Sequence, residues 1–135
     1  MGKASRDKGK RGEREAAALL RDHGYTEARR TQQYCGRDAD GTASDVIGIP
    51  GYHIEVKRTE RARLYEWMEQ AERDRRPEEI PVILHRQNGK RWLAIMPAEM
   101  LLDLIRAAEA KGGEEHGREE DIETGNNDLP DTGSH

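Results

Sequence analysis

The chain has 135 residues, of which 33% are hydrophobic and 37% charged, with no phenylalanine and a formal net charge of −4. That length suits one domain plus tails, and so little apolar content leaves a thin core that a homodimer sharing buried surface would relieve. No apolar run approaches the roughly 20 residues that span a bilayer, and the basic start has no apolar segment behind it, so neither a membrane span nor a secretory leader is expected and the protein should be cytoplasmic.

Cys35 is the only cysteine, which rules out an internal disulfide and a Cys-rich zinc site and leaves a small, partly buried thiol as the expected role. The net charge hides an asymmetry: residues 112–135 carry eight acidic side chains against Arg118, and residues 1–111 carry a net charge of +3. The first eleven residues gather Lys3, Arg6, Lys8, Lys10 and Arg11 against Asp7, a cluster suited to phosphate that a frayed, solvated terminus would also explain.

In chain order, Ala16, Ala17, Leu19, Leu20 and His23 recur at helical spacing and predict a helix from about Ser5 to His23, stopped by Gly24. Glu13 falls beside that apolar stripe, where an unpaired charge is costly and a partner is therefore expected. A polar strand is expected through Ala28 to Gln32, followed by a mobile loop from Tyr34 to Ser44 with almost no apolar content.

Asp45-Val46-Ile47-Gly48-Ile49 and Tyr52-His53-Ile54-Glu55-Val56-Lys57 read as two strands of a hairpin joined by Pro50-Gly51. Leu64, Trp67, Met68 and Ala71 predict a second helix ending near Arg76, ahead of Pro77. Ile80 to His85 and Arg91 to Met96 form a further strand pair across Asn88-Gly89, and Pro97 opens a last helix through Met100, Leu101, Leu104 and Ile105. The expected fold is α/β, in the order α-β-β-β-α-β-β-α with a mixed sheet of about five strands. A folded domain over residues 1–111, with a basic arm at 1–12, precedes a disordered acidic tail at 112–135.

In β geometry a period of two sends Ile54 and Val56 to one face and Glu55 with Lys57 to the other, about 7 Å apart at their backbones. Asp45 opens the partner strand, so a second carboxylate lies near Glu55 if the register aligns their ends. Two close carboxylates repel unless a cation lies between them, and hard oxygen ligands in that number suit Mg²⁺ or Mn²⁺. Such an ion polarises a phosphoryl oxygen and acidifies a bound water, while Lys57 holds that water and offsets growing negative charge.

Lys8-Gly9-Lys10-Arg11-Gly12-Glu13-Arg14, then Asp45-Val46-Ile47, then Ile54-Glu55-Val56-Lys57, then Gln70 resemble the PD-(D/E)xK nuclease superfamily, and within it the Holliday junction resolvase-like group of archaea and phages. The resemblance covers residues 5 to 96 and implies a restriction-endonuclease-like core. It assigns Glu13, Asp45 and Glu55 to the divalent metal, adds the Val56 carbonyl as a ligand, makes Lys57 the catalytic lysine and Gln70 an accessory residue. It also implies a homodimer cutting two strands to leave 5′-phosphates, in recombination and repair inside a bacterial or phage-infected cell, without a nucleotide cofactor. Two positions depart from the pattern: Ser44 stands where the motif has proline, and residues 31–41 hold no clear match for the usual serine of the junction-resolving loop.

Lys8, Lys10, Arg11, Arg14, Arg30, Arg37 and Arg58 are the candidate DNA contacts, with Arg29, Arg61 and Arg63 also flanking the site. Glu13 has a plainer reading as a surface partner of Lys10, Arg14 or Lys57. His23, His53 and His85 share no ligand spacing, although His53 lies on the face of Glu55. Trp67 and Trp92 suit the core or a dimer interface rather than base stacking. A nuclease selective for branched DNA, a less selective nuclease acting on duplex DNA, and a DNA-binding module without turnover all remain open. The acidic tail is a candidate DNA mimic for the basic surface.

Overall fold

The computed structural model describes residues 3–31 and 44–123, with the side chains of Ser5 and of residues 113–123 excepted. Along the chain run α1 (Lys3–Asp22), β1 (Arg29–Arg30), β2 (Val46–Ile47), β3 (Tyr52–Arg58), α2 (Leu64–Asp74), β4 (Ile80–Arg86), β5 (Leu93–Ile95) and α3 (Ala98–Glu123). The element order and the mixed five-stranded sheet are those expected from the sequence. The described residues up to Pro97 form one compact unit and those from Ala98 onward a second. The expected loop from Tyr34 to Ser44 lies, except for Ser44, outside the described residues, as do Gln32, Cys35 and Arg37.

The strands stand in the order β1-β2-β3-β4-β5. β1 and β2 are antiparallel, as are β2 and β3, with Val46 opposite Ile54. β3 and β4 are parallel over seven residue pairs, from Tyr52 opposite Ile80 to Arg58 opposite Arg86. A parallel pair needs a long crossover, and α2 supplies it. β5 returns antiparallel to β4 across the Asn88-Gly89 turn, where Gly89 takes a φ of +71°.

The two-residue alternation of β3 and β4 gives the sheet two buried faces. On one, Ala16 and Ala17 of α1 pack against Val46, Ile54, Val56 and Leu84, with Leu20 and Trp92 at the edge. On the other, Trp67 and Ala71 of α2 cover Ile83, with Met68 and Ile95 beside them. Both tryptophans therefore serve packing, and no described helix is long and apolar enough to cross a membrane.

Two glycines let the layers close. A Cβ on Gly12 would stand 2.6 Å from Arg58 Cβ, so α1 lies on β3 at a distance that only glycine allows. Gly48 has a φ of +108°, and a Cβ there would meet Ala28 Cα and the Glu27 carbonyl at 2.6 Å, which brings β2 against the entry to β1. Helix α2 ends at Asp74, and Arg75 turns to extended backbone ahead of Pro77.

The chain end departs from expectation. The boundary placed after Lys111 falls inside α3, which continues as helix to Glu123, so the first half of the supposed disordered tail is helical; residues 124–135 lie outside the described residues. Gly112, Gly113 and Gly117 each cost a helix about 1 kcal/mol relative to alanine, but the same segment holds Glu114, Glu115, Glu119, Glu120 and Glu123, which are good helix formers.

Candidate active site

β3 carries the centre of the site. His53 and Glu55 are buried on its α2-facing side, 1% and 4% exposed, and Lys57 follows two residues on. The backbone joins this row to Asp45 from β2's leading edge: the Asp45 N–H donates to the Ile54 carbonyl at 2.8 Å, and Asp45 Oδ2 accepts the Val56 N–H at 2.8 Å. The antiparallel hairpin thus brings Asp45 and Glu55 close enough for their charges to interact.

Burial pushes the Asp45 carboxyl up to about 7, and the charges of Glu55 and Glu13 add to the effect, against the Val56 N–H and Lys57, which favour the ionised form. Glu13 on α1 is also raised, first by burial and then by Glu55, against the stabilising Arg30. Three acidic side chains from α1, β2's entry and β3 therefore act on one another. Among the described residues no set of three His, Cys, Asp or Glu side chains is close enough to hold an ion by itself. Magnesium usually takes only one or two protein carboxylates and fills its shell with water and substrate, so the donor chemistry of Asp45, Glu55 and the Val56 carbonyl fits such an ion.

α2 supplies the other wall. Lys57 Nζ donates to Gln70 Oε1 at 3.3 Å and lies 5.8 Å from the centre of the Trp67 ring. Trp67 in turn meets the His85 ring at 5.0 Å, and His85 Nε2 contacts the Thr59 carbonyl at 2.9 Å. Gln70 is thus placed beside the lysine by the helix that crosses over to β4. His23, by contrast, is exposed in the turn after α1 and contacts the Leu19 carbonyl at 2.9 Å.

Lys57 opens onto a groove of about 530 Å³ whose walls include Lys8, Arg58, Arg61, Arg63 and Trp67. Its basic lining suits a phosphate backbone. Not every arginine near it is available. Arg58 Nε donates to Glu15 at 3.0 Å and its Nη1 to Asn88 at 2.8 Å, while Arg30 Nε donates to Glu13 at 3.1 Å. These two arginines hold the fold and the site together. Lys8 is paired with Glu60 at 3.7 Å, whereas Lys10, Arg11 and Arg14 are exposed on α1. Arg63 pairs with Glu66 at 3.2 Å on the surface. The Arg61 guanidinium makes no ion pair among the described residues, and sequence reasoning had placed it only among the flanking charges.

Sequence reasoning also missed Ser44 and Glu15. Ser44 is 8% exposed and its hydroxyl reaches both the Ile54 N–H and His53, each at 3.2 Å. Glu15 joins Arg58 to Arg86, at 3.0 and 3.4 Å, and so ties α1 to β3 and β4. The only early signal for Ser44 was its place in a motif position where proline is usual.

A mixed sheet with helices on opposite faces, and with two carboxylates and a lysine meeting where β2 and β3 pair, defines a PD-(D/E)xK nuclease with a restriction-endonuclease-like fold. A family model described as "phage putative PDDEXK endonuclease" matches residues 4–125, and the chain belongs to that family. Its members are endonucleases, and nucleases of this superfamily act on DNA and generally use divalent metal ions. No curated protein and no solved structure matches the chain.

Proposed function

We propose that the chain is a Mg²⁺- or Mn²⁺-dependent DNA endonuclease selective for branched DNA, such as a Holliday junction, that hydrolyses phosphodiester bonds to 5′-phosphate products. The observation that carries this reading is the placing of Asp45 beside Glu55, where the two carboxyls repel each other, with Asp45 Oδ2 accepting the Val56 N–H at 2.8 Å and with Val56 and Lys57 of the same strand lining a basic groove. A cation between Asp45 and Glu55 relieves that repulsion.

Asp45, Glu55 and the Val56 carbonyl would hold the ion, and Glu13 would close the shell from α1, where its Oε1 is already fixed by Arg30 at 3.1 Å. When bound, such an ion polarises the phosphoryl oxygen and acidifies a water. Lys57, steadied by Gln70, orients the attacking water and offsets the charge that gathers on the phosphoryl oxygens. Lys8, Arg61 and Arg63 grip the strand along the groove, with Lys10, Arg11 and Arg14 extending the basic surface along α1. Two copies in a homodimer would cut two strands, as recombination and repair in a bacterial or phage-infected cell require.

A less selective nuclease would use the same residues. The groove favours that second reading in one respect, since its cations suit phosphates and phosphates are alike in linear and branched DNA.

The test is to incubate the full chain with a labelled four-way junction and a matched linear duplex, with Mg²⁺ or EDTA, beside Glu55→Gln. Paired Mg²⁺-dependent cuts confined to the junction and lost in the variant are expected. Equal cutting of both DNAs would leave the less selective nuclease, and binding without cutting would refute the enzymatic reading.

A further inference from the structure

Behind Glu55 stands a chain of buried polar groups that the chemistry above does not use. His53 is 1% exposed, and its Nε2 lies 2.6 Å from Glu55 Oε2. Its Nδ1 lies 3.2 Å from Ser44 Oγ, and that same hydroxyl accepts the Ile54 N–H at 3.2 Å. Ser44 is itself held, because its carbonyl accepts the Thr31 hydroxyl at 2.5 Å.

A buried imidazole must satisfy both nitrogens. An ionised Glu55 accepts only, so Nε2 carries the hydrogen that faces it. In the neutral ring Nδ1 is then an acceptor, which the Ser44 O–H satisfies while a lone pair of the same oxygen takes the Ile54 N–H. The result is a continuous line from the β3 backbone through Ser44 and His53 to one oxygen of Glu55. Fixing Oε2 sets the plane of the carboxylate and leaves Oε1 for an ion. Glu79 Oε1, 3.8 Å from His53 Nδ1, is too distant to replace the serine.

We propose that His53 is the positioning residue for Glu55, that Ser44 anchors it, and that the serine ahead of Asp45 is therefore a working part of this site. Proline at that position has no hydroxyl and would leave Nδ1 without its hydrogen-bond partner. The proposal rests on the reading of Glu55 as a cation ligand. Outer partners of ligating carboxylates matter because they fix ligand orientation before the ion arrives, and their loss typically weakens metal binding roughly 10–100-fold.

The experiment measures Mn²⁺ binding to the full chain by electron paramagnetic resonance, without DNA, for the wild type, His53→Leu, His53→Gln and Ser44→Ala, with thermal melting of each in EDTA. Affinity should fall roughly 10–100-fold in His53→Leu, recover largely in His53→Gln, whose amide can donate where Nε2 does, and fall to a lesser degree in Ser44→Ala. A purely structural His53 would lower melting temperatures without moving the Mn²⁺ affinity of the folded protein, and that result overturns the proposal. Should His53→Leu fail to fold, Ser44→Ala decides in the same way. A wild type that binds no Mn²⁺ would refute the ligand reading of Glu55 instead, and is distinguishable because every variant would then match it.

Discussion

β3 divides two interiors of opposite character. On the α1 side it buries Ile54 and Val56 against Ala16, Ala17, Val46 and Leu84, an apolar layer whose contribution scales with area. On the α2 side it buries His53 and Glu55 and half-buries Lys57, beneath the smaller cluster of Trp67, Ala71 and Ile83. An apolar layer tolerates small shifts, whereas a buried polar group that loses its partner is left unsatisfied. The same seven residues therefore hold the fold with one face and the chemistry with the other, and substitutions should separate activity from stability by face.

The largest effect should come from Lys57→Ala. Single-turnover cutting should fall by roughly 10²–10⁴-fold, as for other groups that act on protons in the reaction. The melting temperature should move little, because the side chain's hydrogen bond among the described residues is to Gln70 and its contact with the Trp67 ring is a distant one. A variant that unfolds would break the division of labour between the faces.

Ile54→Ala is the converse. Ile54 is 4% exposed in the α1-side cluster, so its truncation should cost on the order of 2–5 kcal/mol in denaturant unfolding. Cutting per folded molecule should stay near that of the wild type. A loss of cutting without a loss of stability would show that the two faces are coupled.

A smaller effect separates the faces by pH. Asp45 titrates near 7 when folded, far above its ordinary range, so the folded state holds this proton more tightly than the unfolded chain does. Its contribution to stability is full below the unfolded pKa of about 4 and is lost as pH rises towards 7. In EDTA the wild type should lose stability across that window, while Asp45→Asn, which keeps an acceptor for the Val56 N–H and cannot ionise, should lose less, the remainder coming from Glu13 and His53, which are also raised. Mg²⁺ added at pH 8 should raise the melting temperature of the wild type and leave that of the variant unchanged. Parallel curves for the two proteins would refute the assignment.

How much of this was legible follows the same division. Period two put Ile54 and Val56 on one face and Glu55 with Lys57 on the other, and the turn at Pro50-Gly51 brought Asp45 to them, so the centre of the site could be read locally. The place of Gln70 followed from the helix that Trp67, Met68 and Ala71 announced, while its part in the site came from the family resemblance alone. What could not be read were partnerships across the fold. Arg30 answers Glu13 across 17 residues and Arg58 answers Glu15 across 43, so two arginines expected to face DNA are committed inside the protein. The Ser44–His53 contact spans nine residues and depends on a hydroxyl where the motif has proline. The helical run of α3 past Lys111 was hidden by paired glycines and by a charge count that suits disorder as well as an exposed helix.

That distinction between committed and available arginines yields the finest prediction. Arg61 and Arg58 line one groove, and in a sequence reading they are equivalent basic side chains. Arg61 is exposed and makes no ion pair among the described residues, so Arg61→Ala should lower the slope of log affinity for DNA against log salt by about one, without changing stability. Arg58 is 10% exposed at its side chain, with Glu15 and Asn88 as partners, so Arg58→Ala should instead cost on the order of 1–3 kcal/mol in unfolding, because it removes the hydrogen bonds to both and leaves Glu15 only the longer contact with Arg86. Binding isotherms over a salt series and denaturant curves for both variants decide the matter. If Arg58→Ala lowers the salt slope and leaves stability intact, the Glu15 pairing gives way when DNA arrives, and the groove has one more cation than its resting arrangement offers.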